Sequence, residues 1–173
     1  MTWRVRRVLT GHDRKGRSTF IADGEAPNVM QVPAMPGLAL TDLWETKEAP
    51  ASNAGAADAA DRPVRLEPPA GGTIFRIVEF PPDSQWRTER SREAFKAIGA
   101  DHAADRSSGD AMMHKTATVD YIVVLKGEIY AIVETGEKLL RAGDVLVQRG
   151  TNHSWSVRGS EPCIVAVVLV SAK

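Results

Sequence analysis

HKTATVDYIVVLKG, residues 114–127, and GDVLVQRGTNHSW, residues 143–155, decide how this chain is read. Each joins a short apolar run to a glycine that ends or opens it, and each carries one histidine and one aspartate. Tyr121 to Leu125 is an apolar run that stops at Lys126-Gly127, and Asp144 to Gln148 lies between Gly143 and Gly150. Working outward, the same grammar repeats. Ile129 to Val133, Lys138 to Arg141, His153 to Val157 and Cys163 to Val170 are short runs separated by turn residues. Upstream, Thr73 to Phe80 mixes β-branched and aromatic residues and halts at Pro81-Pro82, which cannot continue a ladder. Leu38 to Glu45 is a further strand, and Val5 to Thr10 with Arg17 to Ala22 flanks a loop from Gly11 to Gly16, as in a hairpin. Turn signals about every 8–12 residues predict an all-β sandwich or barrel.

Two stretches break the pattern. Glu48 to Arg62 is rich in Ala, Asp, Asn and Gly, and Pro50, Gly55 and the lack of apolar periodicity predict a mobile surface loop. Ser91 to Ala104 predicts one short helix, with Ser91 as N-cap and Phe95, Ile98 and His102 on one face.

Composition excludes several classes. Lys plus Arg and Asp plus Glu both number 22, and that balance argues against a nucleic-acid or membrane-surface binder. The basic N-terminal residues, Arg4 to Arg17, are read as a solvated hairpin whose charges discourage edge pairing. A single cysteine, Cys163, rules out an internal disulfide and is expected to be buried and inert. The longest apolar run is too short to span a bilayer, and no apolar leader is visible, so a cytoplasmic location is expected. A phosphate loop, a nucleophile elbow, CxxC and HExxH are all absent.

Chemistry must therefore come from few residues. His12, His102, His114 and His153 are the only histidines. For His114 and Asp120 to share a metal ion, the chain between them must reverse or bulge, because six extended residues span about 20 Å and two ligands lie within about 4 Å of each other. Alternatively, Asp120 bonds a backbone N–H in a turn and the histidines are ordinary half-buried residues. Trp155, two residues after His153, shares its face on a regular strand. Tyr121 points opposite to Asp120 and is expected to pack. Arg76, inside an apolar strand, meets a substrate carboxylate, pairs with Glu79, or emerges at a surface or dimer interface. His102 lies on a lid over the barrel mouth or on a plain surface helix.

The two stretches resemble the two motifs of the cupin superfamily. His114, then Asp120 in place of glutamate, then Gly127 follow the first motif, with Thr116 where a second histidine would stand. Gly143, Gly150 and His153 follow the second, with Gln148 in place of proline and Val157 in place of asparagine. The RRVLTGHD hairpin and the FRIVEFPP strand add to a resemblance to small single-domain bacterial and fungal cupins. It implies a double-stranded β-helix, or jelly-roll, barrel over residues 71–173. Residues 1–70 are then a strand extension of the same domain. It further implies a divalent metal (Fe, Mn, Zn or Ni) held by His114, Asp120 and His153, with positions left open for substrate. Trp155, Arg76 and Thr116 would line the substrate site. The implied activity is that of a decarboxylase, dioxygenase or lyase on a small oxygenated or carboxylated molecule. The alternative is a non-catalytic small-molecule binder with a degenerate metal site. A homodimer is expected in either case.

Overall fold

The computed structural model describes residues 2–87 and 93–173. The order is β1 (Arg6–His12), β2 (Ser18–Glu25), β3 (Val29–Gln31), β4 (Ala39–Thr46), β5 (Thr73–Phe80), α1 (Asp83–Trp86), α2 (Glu93–Ala97), β6 (Thr118–Lys126), β7 (Glu128–Val133), β8 (Gly136–Arg141), β9 (Val145–Arg149), β10 (His153–Ser156) and β11 (Cys163–Ser171). Among the described residues the chain is all-β apart from two helices of a single turn or so. All strand pairs are antiparallel.

The strands form a six-stranded sheet in the order β3-β4-β5-β11-β6-β9, a three-stranded sheet β10-β7-β8, and the isolated ribbon β1-β2. The two larger sheets share one core. Ile74, Val78, Val124, Val165 and Leu169 of the larger sheet pack with Ile129 and Leu140 of the smaller one. The expected closed barrel is not formed: the sheets face each other across this core without joining into one hydrogen-bonded ring. β6 shows why the alternation is legible. Thr118, Asp120, Ile122 and Val124 are buried, and Tyr121, Val123 and Leu125 are exposed.

Gly127 is where the chain passes from one sheet to the other. Its φ is +76°, and a Cβ there would lie 2.7 Å from the Pro162 carbonyl oxygen. Gly127→Ala combines left-handed backbone strain with that clash, and is expected to lose about 1–3 kcal/mol in urea unfolding.

The irregular segments differ from expectation. Among the residues described, the helix covers only Glu93–Ala97, and the Ser91 cap lies outside the described residues. Gly99, at φ +69°, ends it, and the Ala100 N–H bonds back to the Phe95 carbonyl. His102 falls in the turns beyond and pairs with Glu67 instead of extending the helix. The Ala-rich stretch is exposed through Ala57, and after it only Asp61 is exposed. Ala60 is fully buried, the Asn28 amide donates to the Ala60 and Arg62 carbonyls, and Asp58 pairs with the buried Arg7. That part is docked, because ion pairs and side-chain-to-backbone bonds hold it where apolar contacts do not. Arg4, Arg6 and Arg17 pair with Glu25, Asp23 and Asp13, so the basic N-terminus is neutralised locally. Cys163 is fully buried, and burial pushes its thiol up to about 12. No described helix is long and apolar enough to cross a membrane.

Candidate functional site

His114 and His153 face each other. Each donates its backbone N–H to the other's carbonyl, both at 2.9 Å, which makes them a cross-strand pair at the start of β10. Their rings lie 4.1 Å apart, centroid to centroid. The His114 Nδ1 is 2.8 Å from the Met112 carbonyl and the His153 Nδ1 is 2.9 Å from the Thr151 carbonyl. A carbonyl only accepts, so each Nδ1 carries the proton. Burial lowers the pKa of both rings, that of His153 to about 3 with the neighbouring His114 adding to the effect. Two neutral imidazoles thus present unprotonated Nε2 atoms, fixed by bonds to the residues two positions back.

Aromatic side chains wall the pair. Phe95 of α2 lies 5.0 Å from the His114 ring, Trp155 lies edge-on 5.7 Å from the His153 ring, and Phe80 backs Trp155. Trp155 therefore shares the face of His153, as strand alternation requires.

Asp120 sits inward on β6, opposite Gln148 of β9 and Leu169 of β11. It is buried, and its Oδ1 has no hydrogen-bond partner. Burial raises its carboxyl to about 6, partly offset by the Thr118 hydroxyl and the Arg76 charge. Thr116 and Thr118 bond each other's hydroxyls at 2.8 Å. Gln148, which stands where the family motif has proline, donates to the Thr151 side-chain and backbone oxygens and so braces the turn that aims His153.

Arg76 meets Asp42, not Glu79. Its Nε and Nη2 donate to the two Asp42 oxygens at 2.9 and 3.2 Å, and Nη2 and Nη1 also reach the Arg65 and Leu66 carbonyls. Asp42 and Glu45 both face Arg62, and Glu45 also binds Arg65 at 2.5 Å. Sequence reading missed this cluster. Its signal was two carboxylates three residues apart in an apolar strand, brought to one side by the register shift between Asp42 and Trp44.

The comparisons with known proteins bear on this arrangement. No family model matches the chain. Phomopsin biosynthesis cluster protein C' of Diaporthe leptostromiformis is 30% identical over 159 residues, spanning 88% of this chain and 70% of the relative. The cupin-domain-containing oxidoreductase virC of Hypocrea virens is 28% identical over 156 residues, spanning 88% of this chain and 66% of that protein. The chain belongs to the cupin superfamily. The cupin domain of Cnp3 from Schizosaccharomyces pombe superposes with a TM-score of 0.48 at 13% identity, covering 98% of this chain and 89% of that one.

In this cupin the test of a metal site is the donor set itself. The imidazole pair fits: both Nδ1 atoms are tied to carbonyls, the usual outer support of a ligating histidine, and both Nε2 atoms are left as donors. Asp120 has an orphaned buried oxygen, which suits a carboxylate awaiting a cation. Yet among the described residues no three His, Cys, Asp or Glu side chains lie close enough to hold one ion together. The structure brings His114, His153 and Trp155 into one site. It leaves Asp120 among Thr118, Arg76 and Glu67, and commits Arg76 to Asp42.

Proposed function

We propose that this cupin is a metal-dependent enzyme acting on a small oxygenated or carboxylated molecule, of the oxidoreductase class that the names of some of its relatives carry. A jelly-roll arrangement belongs to the same proposal, since the two main sheets enclose one core. The carrying observation is the pair of buried, neutral imidazoles whose Nδ1 protons are held by backbone carbonyls. His114 and His153 would hold the ion, and Asp120 would supply the carboxylate. A divalent metal bound there supplies Lewis acidity toward a substrate oxygen, or oxygen chemistry if it is iron.

The chain's own residues do the rest. The aromatic wall of Phe95, Trp155 and Phe80 excludes water and offers flat apolar surface to a substrate ring or chain. If Asp120 is not a ligand, its carboxyl, raised to about 6 by burial, takes a proton from, or returns one to, a bound molecule at its free Oδ1. Arg76 is buried and committed to Asp42, and so does not meet the substrate.

A second reading keeps the same site for binding without turnover. It is favoured because, among the described residues, no three His, Cys, Asp or Glu side chains gather to hold one ion.

Metal analysis of protein purified without chelator tests the proposal. Wild-type protein is expected to hold about one equivalent of iron, manganese, nickel or zinc, with His153→Ala weakening it at least ~100-fold. Asp120→Ala reports whether the carboxylate is a ligand or a proton carrier: in the first case the metal is lost, in the second it stays while turnover falls. Wild-type protein that takes up no divalent ion on reconstitution overturns the metalloenzyme reading and leaves the binding one.

A further inference from the structure

One link beyond the carbonyls that hold the imidazoles stand two aspartates. Asp110 opens the turn that leads into His114. Its Oδ1 accepts the Met112 N–H at 2.9 Å, and its carbonyl accepts the Met113 N–H at 3.1 Å. The peptide between Met112 and Met113 is thus held at both ends. Its N–H points to the Asp110 carbonyl, and its carbonyl takes the Nδ1 proton of His114.

The Asp110 carboxylate is itself gripped. Its Oδ2 receives Nη2 of Arg87 at 2.7 Å, and the two side chains are only 17% and 31% exposed. A charge-assisted bond so shielded is firmer than an open surface pair. Nη1 of Arg87 reaches the Asp83 carboxylate at 3.1 Å and the Trp155 carbonyl at 3.4 Å. Asp83, in α1, accepts the Ser156 hydroxyl and the Val157 N–H, which fastens it to the end of β10. One guanidinium therefore ties the turn that aims His114 to the strand that starts at His153.

His153 has a brace of its own. Gln148 holds Thr151, and the Asn152 amide donates to Asp105 at 2.7 Å. The Ser107 hydroxyl and Asn152 hold the Asp105 carboxyl down to about 2. The two rings are therefore set by separate supports.

We propose that Asp110 is a positioning residue for His114: gripped by Arg87, it fixes the Met112–Met113 peptide so that the ring stays protonated at Nδ1 and bare at Nε2. The bond made by one ring nitrogen decides which tautomer a neutral imidazole adopts. Without Asp110 that peptide is free to swing, and the proton to move to Nε2. The benefit to the protein rests on reading His114 as a metal ligand; the tautomer itself does not.

Nitrogen NMR of the imidazoles in chelator-treated protein, followed by titration with Co²⁺, tests this. In wild type both rings are expected as the Nδ1–H tautomer. In Asp110→Ala the His114 ring is expected to become a mixture of tautomers while His153 keeps its own, and the Co²⁺ dissociation constant is expected to rise ~10-fold. Asp110→Asn still accepts the Met112 N–H but offers Arg87 no charge, so it is expected to fall between wild type and Asp110→Ala. Arg87→Ala, which leaves the turn's own residues intact, is expected to move His114 the same way, and carries the test if Asp110→Ala does not fold. An unchanged His114 tautomer overturns the proposal. So does a His153 ring that changes along with His114, because that reports a general loosening, and so does Asp110→Asn no better than Asp110→Ala. Wild-type protein that ignores Co²⁺ overturns the metal reading instead, and the tautomers still decide this one.

Discussion

Asp42→Ala is expected to cost about 3–5 kcal/mol of stability, the largest loss of any single change proposed for this protein. Asp42 is wholly buried and faces two guanidinium groups, Arg76 at 2.9 Å and Arg62 at 2.9 Å. Burial works against the Arg76 cation, and Asp42 is the main group holding it charged. The interior cluster sets three arginines, Arg62, Arg65 and Arg76, against Asp42 and Glu45. Removing Asp42 leaves those arginines against Glu45 alone, with Arg76 still 1% exposed and unable to reach water. For a chain of this length the loss corresponds to a fall in Tm of about 10 °C. Asp42→Leu combined with Arg76→Met removes charge from both sides and is expected to lose clearly less than Asp42→Ala, since a desolvated pair gives back little net energy. Urea melts of the two variants decide it. A single-variant loss below about 1 kcal/mol would mean that water reaches the cluster.

Acid is expected to destabilise the chelator-treated protein, and Asp120→Asn to make it more sensitive. The folded pKa of His153 is depressed to about 3 from 6.5, so its contribution is full above pH 6.5. It is lost as pH falls from 6.5 toward 3, at about 1.4 kcal/mol per unit. His114, also lowered by burial, acts in the same direction. Asp120 is opposite in sign. Its folded pKa is raised to about 6, so the stability it contributes is present below the unfolded value of 3.8 and lost as pH rises through 6. Between pH 6 and pH 4 wild type therefore recovers at Asp120 part of what it loses at the histidines. The Asn variant has no such recovery, and is expected to lose roughly 2–3 kcal/mol more than wild type over that window. Parallel urea titrations at pH 6 and pH 4 measure this. Equal losses in the two proteins would show that the Asp120 carboxyl is not raised.

Both expectations rest on residues of unequal legibility. β5 was readable to the residue, because TIFRIVEF ends at two prolines and nothing else competes for those positions. His114, His153 and Trp155 were readable as a site through the order of their motifs. Strand alternation alone gave the shared face of the last two. Asp42 was not readable as a buried ion, because its partner Arg62 lies twenty residues on, in a stretch whose composition is that of a loop. Periodicity reports what apolar contacts hold, and residues 58–62 are held largely by ion pairs and side-chain-to-backbone bonds. β3, three residues long, gave no pattern of its own and exists as a cover for the edge of β4. The open arrangement of the sheets was equally silent, since closure depends on which edges pair and not on which residues are buried.

The mutual backbone bonds of His114 and His153 join the loop before β6 to β10 at the very residues that would carry a ligand. Anything seated on both rings therefore also clips two chain segments that are far apart in sequence. Opening that clip would require the ligand to leave, so occupancy should slow amide hydrogen exchange at His114 and His153 by the factor 1 + [L]/Kd. Those two amide protons are built-in reporters: they read the ligand's affinity without any assay of turnover.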